Sequence, residues 1–237
     1  MKQIFLILVV VALAGCGNKE AVEKPEPPKA APKKLIANPI VEKAIRKHLK
    51  KPKGELTEAD LEKVTKLLFY GVSPLTDVKS LEKLTQLKEL HLPNNQLTDV
   101  KGLEKLTQLT YLDLSNNQLT DVKGLENLTQ LNELYLFQNQ LTDVKDLEKL
   151  TQLTRLRLQD NQLTDVRGLE KLTRLEVLLL DSNKLTDVTA LEKLTNLKRL
   201  QLSNNQLTDV KGLEKLTQLT YLSFYWNPKL TKAQIDQ

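Results

Sequence analysis

Residues 94–109 read NNQLTDVKGLEKLTQL, and residues 204–219 repeat them letter for letter. Between the two copies the same pattern returns every 22 residues with small changes. This period constrains the fold more tightly than any compositional total. So short a unit cannot bury its own apolar side chains. Its copies must stack and cover one another, which makes a solenoid.

Aligned on that period, one column holds Leu90, Leu112, Leu134, Leu156, Leu178, Leu200 and Leu222. The next inward column holds Leu92, Leu114, Leu136, Leu158, Leu180, Leu202 and Phe224. In L-x-L both side chains face one way, as a strand requires. A strand this short is stable only beside its copies, so the coils are expected to build a parallel sheet along one side. Leu97 and Val100, with their equivalents in later coils, fill the return path, and L-E-x-L supplies a tight helical turn that closes each coil. A fully buried Leu contributes roughly 1.5–3 kcal/mol, a gain each coil collects only once a neighbour covers it.

Two polar columns keep the same period. Asn95, Asn117, Asn139, Asn161, Asn183, Asn205 and Asn227 follow the strands. A buried Asn amide can satisfy backbone groups of its own turn and of the adjacent coil, so this column is expected to be a structural ladder. Asp77, Asp99, Asp121, Asp143, Asp165, Asp187 and Asp209 each stand in T-D-V before the closing turn, placed to cap it. Calcium is not expected there, because the Gly-rich Asp repeats of calcium-binding β-rolls are absent.

With these residues in view, L-x-x-L-x-L-x-x-N-x-L resembles the leucine-rich repeat. The 22-residue length, with T-D-V and L-E-x-L-T-x-L after the Asn, is similar to the internalin-like class of bacterial surface proteins. The resemblance covers residues 65–230, about seven coils. It implies an α/β solenoid bent into an arc, with short parallel strands on the concave face and helical turns or extended segments on the convex face. It also implies that ligands dock on the concave side. The first coil departs from the pattern. Residues 67–75 (LLFYGVSPL) carry Ser73 where the ladder expects Asn, and their Leu spacing fits only after a one-residue slip. At the other end residues 227–235 (NPKLTKAQI) shift the post-turn Leu by one. Residues 231–237 are therefore expected to begin a short or truncated C-terminal cap.

The leading segment is an address. MKQ precedes an apolar run over residues 4–13 that ends in small residues, a signal-peptide pattern too short to read as a membrane span. Leu13-Ala14-Gly15-Cys16 resembles the lipobox of bacterial lipoproteins, which implies cleavage after residue 15, acylation of Cys16 and membrane attachment through that lipid. Cys16 is the only Cys, so no intramolecular disulfide is possible. Gly17 in place of Asp favours the outer membrane in a cell with two. Residues 16–38, rich in Pro, Lys and Glu, read as a semi-extended tether. Residues 39–64 read as a helical N-terminal cap: Asn38-Pro39 opens one helix and Thr57 opens a second, shorter one.

The formal charge of +5 divides unevenly. Residues 17–53 hold eleven Lys or Arg against four Glu, whereas residues 54–237 hold 23 basic and 26 acidic side chains. Export and the slight acidic excess of the repeats exclude nucleic acid as the expected partner. Enzyme classes fare no better. With only His48 and His91, and no G-x-x-x-x-G-K-[ST] or H-E-x-x-H, neither a catalytic set nor a metal or cofactor site is expected.

Function is expected where the sequence stops repeating. If Leu90 and Leu92 point inward, residues 89, 91 and 93 and their equivalents point outward. Near the middle, Tyr111, Glu133, Tyr135, Phe137, Arg155, Arg157, Val177 and Leu179 fall on neighbouring strands, a mixture that protein interface centres favour. Tyr221, Tyr225 and Trp226 form a second group on the last coil, either a further binding face or a shield for the open end. The expectation is a lipid-anchored, envelope-exposed module that binds a protein through its concave face. The alternatives are glycan or peptidoglycan binding across Tyr111, Tyr135 and Phe137, or a structural envelope scaffold.

Overall fold

The computed structural model describes residues 34–70, 74–231 and 234, all within one compact unit of residues 34–237. The expected signal peptide, Cys16, most of the tether, Ser73 and most of the expected C-terminal cap lie outside the described residues.

The chain begins with helix α1, Pro39–Leu49. Asn38 caps it, its Oδ1 accepting from the N–H groups of Ile40 at 2.9 Å and Val41 at 3.3 Å, with Pro39 in the first turn where no N–H is needed. Lys50 ends the helix in the left-handed conformation (φ 52°). Helix α2, Glu58–Leu61, opens with a reciprocal capping box between Thr57 and Asp60. The Lys51 ammonium, 2.7 Å from Asp60, and then the Thr57 bonds hold that carboxyl below its usual range. Val41, Ile45, Leu61 and Val64 are buried and join the core of the first coil.

Eight three-residue strands follow: β1 Lys66–Leu68, β2 Glu89–His91, β3 Tyr111–Asp113, β4 Glu133–Tyr135, β5 Arg155–Arg157, β6 Val177–Leu179, β7 Arg199–Gln201 and β8 Tyr221–Ser223. They form one parallel sheet in sequence order, the inner face of an arc-like solenoid. Each connection is long enough for the crossover that parallel neighbours require. Lys66 pairs with Glu89 and Glu89 with Tyr111, so the first step is one residue longer than the 22 of every later one. That is the slip expected of the first coil.

The columns settle into their expected roles. Leu90, Leu112, Leu134, Leu156, Leu178 and Leu200 are fully buried. Leu222, expected to be inward like them, is 38% exposed, because no further strand covers β8 among the described residues. The Asn column is a ladder. Asn139 accepts from Leu119 N–H at 3.0 Å and donates to the carbonyls of Leu136 in its own coil and Leu114 in the preceding one. Asn95, Asn117, Asn161, Asn183, Asn205 and Asn227 repeat the arrangement.

On the convex side each Asp of T-D-V accepts from the N–H two residues on, as for Asp77 with Lys79 at 3.1 Å and Asp165 with Arg167 at 2.9 Å. Coils with Ser80, Asp146 or Ala190 in the next turn form a short 3-10 helix. At Gly102 and Gly168 the chain instead adopts positive φ, and a Cβ there would come within 2.7 and 2.6 Å of Lys79 and Lys145 Cα in the coil before. Only glycine fits beside those 3-10 turns. Lys105–Glu82 at 2.9 Å and Lys171–Glu148 at 2.7 Å tie successive coils across this wall.

Candidate functional site

The sheet places residues 89, 91 and 93 and their equivalents side by side on the concave face, with neighbouring strands about 4.8 Å apart. Parallel register therefore turns a sequence column into a row of touching side chains. Tyr111 faces Glu133 across β3 and β4, Glu133 faces Arg155, and Tyr135 faces Arg157, which faces Leu179.

These side chains pack on one another. Tyr111 and Tyr135 meet edge to face, with centroids 5.2 Å apart. The Arg157 guanidinium lies 4.6 Å from the centroid of the Tyr135 ring, within cation–π range. Tyr135 Oη donates to Glu133 Oε2 at 2.6 Å, and Arg155 stands 3.9 Å from the other Glu133 oxygen. Burial, followed by the Asp113 carboxylate, pushes the Tyr111 phenol above its ordinary range. Burial and the bond to Glu133 do the same for Tyr135.

The row extends beyond the expected cluster. His91 stacks on Tyr111 with centroids 4.6 Å apart, and Tyr70 lies 6.2 Å beyond His91. His91 Nε2 and Lys66 Nζ each lie 2.6 Å from Glu89 Oε1. Lys66, and secondly His91, keep the Glu89 carboxyl below the usual range. His91 was visible in the outward columns, but nothing in one sequence links it to Tyr111 rather than to solvent. Tyr70 was hidden by the one-residue slip, since only a 23-residue step aligns it with Pro93.

Two expectations need correction, and a third reading that the sequence left open can be described. Leu179 was expected to be exposed but is buried at 7%, lying in register between the long side chains of Arg157 and Gln201. Tyr135 and Arg157 were expected to point into open solvent. Both are only partly exposed, because adjacent strands bring their side chains into contact. The last-coil aromatics do not fold over the end. Tyr225 and Trp226 are 73% and 83% exposed while Leu222 beneath the same coil stays open, and Tyr221 carries the Arg199 guanidinium 4.2 Å from its centroid. Phe137 and Val177 are partly exposed, and Arg155 is exposed.

The described residues form no catalytic constellation. They contain no group of three or more His, Cys, Asp or Glu placed to hold a metal, and His91 is engaged with Glu89. No described helix is long and apolar enough to cross a membrane.

The family described as Leucine Rich repeats (2 copies) matches residues 107–149, 151–193 and 195–236, and the one described as Leucine rich repeat matches residues 73–119. No curated protein matches the chain. Among solved structures, an internalin (inlF) from Listeria monocytogenes is 34% identical with a TM-score of 0.77, over 83% of this chain and 58% of that one. An internalin C2 from the same species is 28% identical with a TM-score of 0.66, over 83% and 95% of the two chains. A leucine-rich-repeat protein of Leptospira interrogans is 34% identical with a TM-score of 0.66, over 70% and 44%. The chain spans little more than half the length of the first of these.

Proposed function

We propose that this chain, which belongs to the internalin-like family of bacterial leucine-rich-repeat proteins, binds a protein partner on its concave face and performs no chemistry of its own. One observation carries the reading. Aromatic, arginine and aliphatic side chains of β3 to β6 form a contiguous row on a rigid sheet, at the positions where the otherwise repeated sequence varies. The core leucines and the Asn ladder hold the coils together, so these side chains are available for recognition. Their composition is that of interface hot spots. On the same reading Cys16 is acylated and attaches the module to the cell envelope through the residue 16–38 tether.

A sugar laid across Tyr111, Tyr135 and Phe137 is the second reading. A ring face of Tyr111 is already taken by His91 and one of Tyr135 by Arg157, which reduces the ring surface open to a sugar. The protein reading is therefore preferred.

The test is a pull-down from envelope and cell-surface fractions with three proteins: wild type, Tyr135→Ala/Arg157→Ala, and a convex-wall control, Lys105→Ala/Lys149→Ala. A protein retained by wild type and control and lost with the concave variant is expected, with each truncation costing more than about 1 kcal/mol of binding. Equal recovery by all three would leave a scaffold reading. Empty protein lanes with bound cell-wall fragments would favour the glycan.

A further inference from the structure

The charges of the two faces are satisfied differently. On the convex side three lysines sit against carboxylates of the preceding coil: Lys105–Glu82, Lys171–Glu148 and Lys215–Glu192. On the concave face the carboxylates are engaged from within. Glu89 meets Lys66, Asp113 accepts from Ser115 N–H at 2.9 Å, Glu133 accepts from Tyr135, and Asp181 accepts from Ser203 N–H at 3.0 Å.

The concave arginines lack such partners. Arg155 reaches Glu133 only at 3.9 Å, while Arg157 and Arg199 make no ion pair among the described residues and lie against tyrosine rings instead. The Nε of Arg157 is buried with no hydrogen-bond partner, and so is the Oε1 of Gln159 on the same coil. A buried N–H of this kind costs free energy until an acceptor reaches it. Between the arginine strands β5 and β7 lies β6, whose outward residues Val177 and Leu179 are apolar. Cation, apolar, cation is thus the order of the face along the solenoid. Asp160 and Asp181 lie at its margin, and Lys198 is paired with Glu176 at 3.0 Å.

Resting on the concave-face reading, we propose that the partner docks an acidic protein segment across β5 to β7, with carboxylates on the arginines of β5 and β7 and an apolar side chain over Val177 and Leu179 between them. Strand spacing sets the geometry, since β5 and β7 lie about 10 Å apart. Residues i, i+3 or i+4, and i+7 of an α-helix climb one face at about 5 Å per step. A helix lying along the solenoid axis with acid, apolar and acid at those positions meets successive strands in step. Guanidinium groups suit this role because their forked donors bind carboxylates bidentately.

A display library of helical peptides, randomised on one face, tests this with the full-length protein. Selection on wild type is expected to enrich Asp or Glu flanking Leu, Ile or Phe at that spacing. Arg155→Gln/Arg199→Gln is expected to weaken the selected peptides about tenfold or more, and Arg155→Glu/Arg199→Glu to abolish them. Both arginines are exposed, so these variants should melt with wild type, and Lys105→Gln should bind normally. Peptides without acidic enrichment that still need Tyr135 and Phe137 would overturn the acidic partner and leave concave protein binding standing. Peptides indifferent to every concave substitution, or none selected at all, would overturn both. Arginine-dependent binding of polygalacturonate without peptide binding would assign the face to an acidic polysaccharide and reject the proposal.

Discussion

Replacing Asn139 with Leu tests what holds the coils together. Asn139 is buried in the middle of the array, with Oδ1 accepting from Leu119 N–H at 3.0 Å and Nδ2 donating to Leu114 and Leu136 carbonyls at 3.0 and 3.1 Å. Leucine fills a similar volume and offers none of these bonds. The Leu119 N–H is orphaned at a cost of about 1–3 kcal/mol, while the Leu114 and Leu136 carbonyls each keep a donor, from Asn117 and Asn161 at 3.0 Å. The loss is about 1–3 kcal/mol, a sizeable fraction of the 5–15 kcal/mol typical of a whole domain. With a urea m-value of about 2 kcal/mol/M, the midpoint should fall by about 0.5–1.5 M. Unfolding is followed by far-UV circular dichroism for the whole array and by Trp226 fluorescence for the last coil, since that residue is the only Trp. Because repeats couple only to their neighbours, the two signals should also separate in the variant. Gln140→Ala, at an exposed position next door, should behave as wild type. Asn139→Asp keeps the acceptor but sets a carboxylate among carbonyls, which raises its folded pKa above the unfolded value near 3.9. Its deficit is therefore full above the folded pKa and shrinks as pH falls toward about 4. A midpoint for Asn139→Leu within about 0.3 M of wild type would refute the ladder argument, because the bonded groups would then have to be solvated.

Trp226 holds φ 58° where other coils carry Asn or another short polar side chain, and it is 83% exposed. Trp226→Asn should raise stability by about 0.5–1 kcal/mol in urea titration, since Asn tolerates this conformation and little burial is lost. The carboxyls of Glu42, Asp60, Glu89, Asp165 and Asp187 are held below their ordinary values, chiefly by Arg46, Lys51, Lys66, Arg167 and Thr189 respectively. Their contribution is complete above the unfolded carboxylate pKa of about 4 and disappears as pH falls through the lower folded values, so melting temperature should drop between about pH 4 and pH 2. A flat or rising profile there would contradict it. Labelled palmitate should enter the protein in the expressing bacterium and be lost in Cys16→Ser together with membrane fractionation; label retained by the variant would end the lipoprotein reading.

How much of this could be read from the chain follows from what repetition does. A column repeated seven times is a statement about packing, because each copy must fit the slot left by the last. The inward leucines, the Asn ladder and the Asp-capped turns were therefore legible residue by residue. Positions without a neighbour on both sides were not. Leu222 matches the inward column in every letter yet remains exposed, because burial belongs to the next coil and not to the residue. The first coil hid Tyr70 for a related reason: the helical cap, not another repeat, sets its boundary, and the period loses its phase there.

The concave face was legible as a list and illegible as a surface. The outward columns name Tyr111, Tyr135 and Arg157 but not who touches whom, since contact between neighbours depends on register, curvature and side-chain length together. Leu179 shows the consequence, for an outward leucine between Arg157 and Gln201 is buried by its neighbours' length. Charge adds what geometry leaves open. A carboxylate column and a lysine column that repeat in phase can pair from coil to coil, and the convex wall does so at Lys105–Glu82, Lys171–Glu148 and Lys215–Glu192. The arginines on the concave face have no repeating acid opposite them, so no single-column rule satisfies them. Among the described residues they find only tyrosine rings and one distant carboxylate. Cations left this way lower their free energy further when an acceptor arrives from outside. On the proposed reading, the repetition that builds the solenoid leaves recognition to its concave side.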